Sequence, residues 1–184
     1  LQSIDSNSLS MLLKEFHGIL DLGLQKLGEG NAKTLRESEL SVIFFSGLTT
    51  LSIFEAKHLN QSGAILNFDR LDSLSAEAAH ALLDGFTRPV SFERLEIADV
   101  KLATAIATHS HHLSLPSVDN LADDVAHALL QHRGECIELT GLKQCSTSIA
   151  EAIANLPVDK VTPQSIWIGF EFISVELAHI LGKT

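Results

Sequence analysis

A segment of 19 residues that occurs four times constrains the fold more than any other feature of this sequence. The four copies align with one another without a gap, and they are Val42–Asn60, Ile65–Leu83, His112–Leu130 and Cys136–Ala154. A single copy is too short to shield its own apolar side from water, whereas stacked copies shield one another. The repeat therefore predicts an array of similar units piled in one row.

The first half of each copy alternates apolar and polar residues, as Leu66 and Phe68 do on either side of Asn67. A period of two is typical of a short β-strand with one buried face. Apolar residues then recur three positions apart, at Leu71 and Leu74 in the same copy. This change of spacing predicts a turn after the strand, with its corner residues pointing inward.

The second half of each copy has the spacing of an α-helix. It opens with a small residue such as Ser75, whose hydroxyl can accept a hydrogen bond from a free backbone N–H at the start of a helix. An alanine such as Ala79 follows, and Leu82 comes three residues later, on the same helical face. The small alanine lets the helix lie close to the strands, so each copy predicts a strand, a turn and a helix.

The copies share the pattern LxLxxLxxLSxExAxAL, and with it the chain resembles leucine-rich repeat proteins, in a variant of bacterial type. The resemblance implies an α/β fold: a right-handed solenoid of about seven units, with parallel strands on the concave face and helices on the convex face. The common family pattern has Asn or Cys in a ladder after the strand. This chain has no matching amide or thiol ladder, because three of its four copies have leucine at the corner (Leu51, Leu74 and Leu121) and one has Cys145. We therefore expect apolar packing in place of a side-chain amide ladder.

The repeat covers nearly the whole chain and predicts one solenoid domain over residues 19–184. Residues 1–18 predict an N-terminal capping helix or a partial repeat, because Leu9, Leu12, Leu13 and Phe16 form a helical stripe. The first and last units, 19–36 and 165–181, have a one-residue deletion at the corner. In the last unit the repeat positions are Ile166, Ile168, Phe170, Ile173, Ala178 and Leu181.

Two joints between units are longer than the others. We interpret residues 84–93, which contain Pro89, as an inserted loop. Residues 94–110 would then be a degenerate fourth unit, in which Leu95 and Ile97 form the strand and the helix is shortened. The second long joint is bracketed by Pro157 and Pro163.

The net charge of −10 argues against two classes of partner, the phosphate backbone of a nucleic acid and an anionic membrane surface. No run of apolar residues approaches the roughly 18 that a transmembrane helix needs. We therefore expect neither a nucleic acid nor a membrane as the partner. Of the two cysteines, Cys136 opens a strand and Cys145 takes a corner position that is apolar in the other copies, so we expect no disulfide between them.

Nine histidines raise the question of a metal site. His109, His111 and His112 are close together in the sequence, and His132 follows one unit later. Imidazoles at this density can bind zinc or copper, but a closed site needs three or four ligands in a fixed geometry. The competing interpretation, which we favour, is an exposed joint between a helix and a strand. Three further histidines share one outward repeat position and predict solvated side chains: His80, His127 and His179.

The chain contains no motif that indicates catalysis. It has no GxSxG elbow, no HExxH and no phosphate-binding GxxxxGK[ST] segment. Gly28 and Gly30 match the first spacing of a dinucleotide fingerprint, but Lys33 stands where its third glycine belongs. We therefore predict no enzymatic activity and no cofactor.

The outward side of the strands is the most informative surface that the sequence predicts, because its residues alternate with the buried ones. The third position of each unit gives Asp21, Phe44, Asn67, Glu96, Ser114, Glu138 and Trp167. Two positions further along come Ser46, Asp69, Ala98, Pro116 and Thr140. Adjacent strands align such residues into columns, and the result is a mildly acidic stripe with an aromatic residue towards each end.

Three functions are compatible with this pattern. A non-catalytic module could bind a protein or peptide through the exposed strands, at Asp21, Phe44, Asn67, Asp69, Glu96, Ser114, Glu138 and Trp167. The chain could instead be a structural scaffold or spacer segment of a larger protein. A metal-dependent activity at the cluster from His109 to His112 is the third. A fold of this kind does not decide between them.

Overall fold

The computed structural model describes residues 4–14, 16–132, 134–144, 146–154, 165–169, 178–180 and 182. Within this part of the chain, strands and helices alternate. The strands are β1 (Ile19–Asp21), β2 (Val42–Phe45), β3 (Ile65–Phe68), β4 (Val90–Phe92), β5 (Leu113–Ser114), β6 (Cys136–Leu139) and β7 (Ser165–Ile168). The helices are α1 (Ser6–Leu13), α2 (Glu29–Arg36), α3 (Ile53–Leu59), α4 (Ala76–Leu83), α5 (Val100–Ala107), α6 (Asp123–Leu129) and α7 (Thr147–Ala154).

The strands form one parallel sheet in which spatial order follows sequence order, from β1 to β7. Corresponding repeat positions are paired across the sheet, as Ile43 is with Leu66 and Leu66 with Val90. Each helix packs against the next helix along the chain. The prediction of alternating strands and helices stacked in a single row is therefore confirmed.

The core lies between the sheet and the helices, and its residues come from the same repeat positions in successive units. Three phenylalanines in this core, Phe45, Phe68 and Phe92, stack in sequence, with ring centroids 4.9 and 5.2 Å apart and ring planes within 11° of parallel. The repeated helical alanines are buried as well. They are Ala32, Ala56, Ala79, Ala103, Ala126 and Ala150. Because each has no side chain beyond Cβ, the helices can approach the sheet closely.

Side chains at the helix N-termini satisfy backbone N–H groups as the sequence predicts. Ser52 and Glu55 form a reciprocal capping box at α3, and the hydroxyl of Ser75 accepts from the amide of Ala78 at α4. At α6 the equivalent residue is Ala122, which has the same extended backbone but no side-chain acceptor. The repeated serine position is therefore a capping position.

The fourth unit differs from the prediction. Residues 84–93 are not an inserted loop, because Val90 and Phe92 form β4 and pair with Leu66 and Phe68, each 24 residues earlier. The unit is as regular as its neighbours, and α5 has eight residues rather than a shortened helix. Leu95 and Ile97 have the spacing of a strand, but Leu95 is the buried corner residue of the following turn.

Two predicted surface residues move with this correction. Glu96 is not on a strand but in the turn after β4, where its amide donates to the carbonyl of Asp72. Ala98 lies in the same turn, next to the capping residue Asp99. The positions predicted for these two residues, on β4 and immediately after it, belong instead to Ser91 and Glu93.

The N-terminal segment forms a helix, α1, whose amide groups at Asn7 and Ser8 donate to the carboxylate of Asp5. Leu9 and Leu13 are buried against the first units, whereas Leu12 and Phe16 are exposed, so only half of the predicted apolar stripe faces the core. Several predictions fall outside the described residues. These concern Cys145, Pro157, Pro163, Phe170, Ile173 and Leu181.

Candidate binding surface on the strands

The outward side chains of the sheet form two rows, which together we call the strand face. The first row consists of Asp21, Phe44, Asn67, Ser91, Ser114, Glu138 and Trp167, which are neighbours in the strand register. The second row, immediately after the strands, consists of Ser46, Asp69, Glu93, Pro116 and Thr140. Each of these residues is half-buried or exposed.

Of the eight residues predicted to form a binding surface, Glu96 is the one that lies elsewhere. It lines a cleft between the turns that follow β4 and β5, together with Arg94, Ser117 and Asp119. The other seven lie on the strand face, and they are Asp21, Phe44, Asn67, Asp69, Ser114, Glu138 and Trp167. The sequence does not reveal Ser91 and Glu93, because the alternation of Leu95 and Ile97 predicts the fourth strand five residues later than its position in the structure.

The first half of the strand face brings carboxylates together. The hydroxyl of Ser46 donates to Asp21 over 2.6 Å, and the hydroxyl of Ser91 donates to Glu93 over 2.8 Å. Asp69 lies between these two acids, and its pKa is raised above the ordinary value by burial, by Glu93 and by Asp21. Burial and like charge both disfavour the ionised form, so a cation close to Asp69 would be stabilised.

The second half of the strand face centres on Glu138. Its Oε2 atom accepts a hydrogen bond from the hydroxyl of Ser114 over 2.9 Å and lies 3.5 Å from Nε2 of His112. The imidazole of His112 meets the indole of Trp167 edge to face, with centroids 6.3 Å apart and an interplanar angle of 75°. His112 was not predicted as part of this surface, although it precedes Ser114 by two residues and therefore points to the same side.

Ser114 and His112 both contact the same carboxylate oxygen rather than each other. In a nucleophile–base pair the serine hydroxyl donates to the imidazole. Here it donates to Glu138, which holds the carboxylate in place. The arrangement suits a fixed acceptor of hydrogen bonds rather than an activated serine.

The histidine cluster differs from the predicted exposed joint. His109 is fully buried and His132 is nearly so, whereas His111 and His112 are half-buried. The ring of His109 lies between Phe86 and His132, one unit away on either side, with centroid distances of 6.1 and 6.4 Å. These three residues follow helices α4, α5 and α6 at one repeat position, so two histidines occupy a place that is apolar in the preceding unit.

Burial controls the protonation of these two histidines. The pKa of His109 is lowered to about 4, first by burial and then by His132 and His111. Burial also lowers the pKa of His132. Both imidazoles are therefore neutral near pH 7. By contrast His80, His127 and His179 are exposed, as predicted.

Within the described residues, no group of three or more His, Cys, Asp or Glu side chains is placed to hold a metal ion. Cys136 has a free, buried thiol whose pKa is raised by burial and by Glu138. None of the helices in the described part of the chain is long and apolar enough to cross a membrane.

The fold and the strand face define an α/β protein of stacked repeats, and comparison with known proteins adds no family to that class. No protein-family model matches the chain. No curated protein matches it either. Among solved structures it has a distant likeness to the arginine decarboxylase of Paramecium bursaria Chlorella virus, with 11% sequence identity and a TM-score of 0.26. That match covers 89% of this chain and 60% of the viral enzyme chain, so this chain spans less than two thirds of the other's length.

Proposed function

We propose that this chain is a leucine-rich-repeat-like solenoid, right-handed, with its strands on the concave face and its helices on the convex face. Three features support the proposal: strands of two to four residues, sequential parallel pairing, and helices packed in the same order. Solenoids of this kind present an extended surface whose residues come from successive units.

We further propose that the function of this solenoid is non-catalytic binding of a protein or peptide through the strand face. The observation that carries this proposal is the strand face itself, which combines partly exposed polar side chains with Phe44 near one end and Trp167 at the other. Aromatic anchors surrounded by polar groups are characteristic of protein interfaces.

The charge of the strand face selects the kind of partner. Four side chains of its two rows are acidic (Asp21, Asp69, Glu93 and Glu138), and none is a lysine or an arginine. The whole chain carries a net charge of −10. A neutral or basic polypeptide would therefore be attracted, whereas a nucleic acid or an anionic membrane would be repelled.

Selection from a random peptide library displayed on phage tests this proposal. Peptides selected by the wild-type chain would be measured against the Asn67→Arg, Ser91→Arg double variant, which places two bulky cations at the centre of the strand face. A matched control, Thr104→Arg with Gln131→Arg, adds the same charge on the helix side. Thr104 is exposed on α5, and Gln131 is exposed just after α6.

We expect the strand-face variant to lose at least about tenfold in affinity and the helix-side control to bind as the wild type does. Equal binding by the two variants would exclude the strand face. A selection that yields no peptide would favour the alternative function, a structural scaffold or spacer.

A further inference from the structure

Glu138 occupies the centre of a small group of side chains on three neighbouring strands. Ser114 is its neighbour on β5, and Trp167 is its neighbour on β7. The indole contacts His112, which adjoins β5, so it spans the strand that carries Glu138. An aromatic surface and a carboxylate are therefore adjacent on the strand face.

In the part of the chain that the structure describes, the carboxylate of Glu138 is held in position but is not paired with a lysine or an arginine. Its side chain is only 23% exposed, so it has lost part of its hydration. Among the described residues, both of its side-chain contacts go to Oε2, and the contact with His112 is an ion pair only when that imidazole is protonated. A desolvated carboxylate with one oxygen available favours a cationic hydrogen-bond donor.

Trp167 supplies the second half of the recognition chemistry. The indole is 56% exposed, which is unusual for the largest apolar side chain. Its ring contact among the described residues is the edge-to-face contact with the imidazole of His112, and neither row of the strand face holds a lysine or an arginine. Cations are attracted to the face of an indole, and a guanidinium group can stack there while its N–H groups donate to a carboxylate. A lysine ammonium group has no planar surface to stack.

From these contacts we infer that Glu138 and Trp167 form a subsite for an arginine side chain of a bound polypeptide. The guanidinium lies on the indole and donates to Oε1 of Glu138, while Ser114 and His112 fix the carboxylate through Oε2. This inference rests on the proposed function, because it names one side chain of the partner that the strand face binds.

Trp167 provides its own reporter, because the chain contains one tryptophan and no tyrosine. The probe is the peptide acetyl-Gly-Ser-Arg-Ser-Gly-amide, titrated at pH 8, above the range in which imidazole usually titrates. The fluorescence of Trp167 should change in a saturable way. The same peptide with citrulline, which has the shape of arginine without its charge, should give no saturable change, and the lysine peptide should bind more weakly.

Two variants identify the carboxylate. Glu138→Gln should weaken binding of the arginine peptide about tenfold, because a charge-assisted hydrogen bond is lost. Glu135→Gln removes the same charge three residues away, from an exposed side chain that contacts His111, and should leave the affinity within about twofold.

Equal binding of the citrulline and arginine peptides would overturn the subsite, as would equal effects of the two variants. A second result would also overturn it: library-selected peptides that contain no arginine but lose affinity for the Asn67→Arg, Ser91→Arg variant. That result would leave the strand-face function standing, so the failure of the subsite and the failure of the proposed function are distinguishable.

Discussion

The ring of Phe92 stacks on the ring of Phe68, with centroids 5.2 Å apart, although the two residues are 24 positions apart in the sequence. Phe45 continues the stack on the other side of Phe68. In the neighbouring units leucine occupies this position, at Leu22, Leu115 and Leu139. Three units therefore share one aromatic column at a repeat position that is aliphatic in the units on either side, and the stacked rings hold these three units in register.

Replacing the central ring should be costly. Phe68 is fully buried and contacts a ring on each side, so Phe68→Ala removes both stacking contacts and leaves a cavity. We expect the free energy of unfolding to fall by about 3–5 kcal/mol. Phe68→Leu should cost less, because leucine occupies the equivalent position in other units. Urea unfolding followed by circular dichroism measures both changes.

Phe54 provides the matched control for this experiment. It is 63% exposed on helix α3, so Phe54→Ala should change the free energy of unfolding by no more than about 0.5 kcal/mol. A similar loss of stability in both alanine variants would show that the phenylalanine column has no special role.

The fourth unit shows what a repeat pattern can predict and where it fails. Alternation and spacing predict the strand register of the other six units, because a shift of one residue would turn every buried side chain outward. In the fourth unit Leu95 and Ile97 also alternate, and Pro89 argued against a strand nearby. Pro89 is nevertheless compatible with the sheet because it precedes β4, and its carbonyl accepts from the amide of Leu66.

The histidines show a second limit of the sequence. Periodicity identified outward helical positions such as His80 and His127 correctly. His109 and His132 belong to the joint after each helix, where the sequence has no regular period. Their burial becomes visible only through the equivalence with Phe86, which the sequence predicts to lie in a loop.

Asp99 tests the corrected fourth unit. Its carboxylate accepts a hydrogen bond from the amide of Leu102 over 2.8 Å at the start of α5, as Ser75 does for Ala78 at the start of α4. Asp99→Ala should therefore lower the free energy of unfolding by about 1 kcal/mol, and Asp99→Ser should restore most of it. If Asp99→Ala were neutral by urea unfolding, Asp99 would not be a helix cap.

The reverse change is available at α6. Ala122 has backbone angles φ −64° and ψ 148°, close to those of Ser75, but it provides no side-chain acceptor. Ala122→Ser should raise the free energy of unfolding by about 0.5 kcal/mol. The gain is smaller than the loss at Asp99 because the amide of Val125 already donates to the carboxylate of Asp124.

Stability should depend on pH through His109. Burial lowers its pKa in the folded state to about 4 from an ordinary value of 6.5, so the unfolded chain binds this proton first as the pH falls. The stability is fully present above pH 6.5 and is lost as the pH falls towards 4. The loss attributable to His109 is about 3 kcal/mol, and His132, whose pKa is also lowered, adds to it.

Urea unfolding between pH 4 and pH 8 measures this dependence. His109→Phe introduces the residue that occupies the same repeat position in the preceding unit, and its stability should fall much less over this range. The control is His80→Phe, at an exposed position on α4, which should keep the slope of the wild type. Equal slopes for the two variants would exclude the protonation of His109 as the cause.

The ionised carboxylate of Asp69 should destabilise the folded chain at neutral pH. Burial, Glu93 and Asp21 raise its pKa in the folded state above 3.8, so ionisation of Asp69 opposes folding once the pH exceeds that value. Asp69→Asn should therefore raise the urea midpoint at pH 7, and the gain should disappear as the pH falls below 3.8. Asp72→Asn removes the same charge from the exposed turn nearby and should give a smaller gain.

If the acidic strand face binds basic peptides, Asp69→Asn should also weaken the affinity of library-selected peptides while it stabilises the chain. A variant that is both more stable and binds as tightly as the wild type would contradict a role for Asp69 in binding.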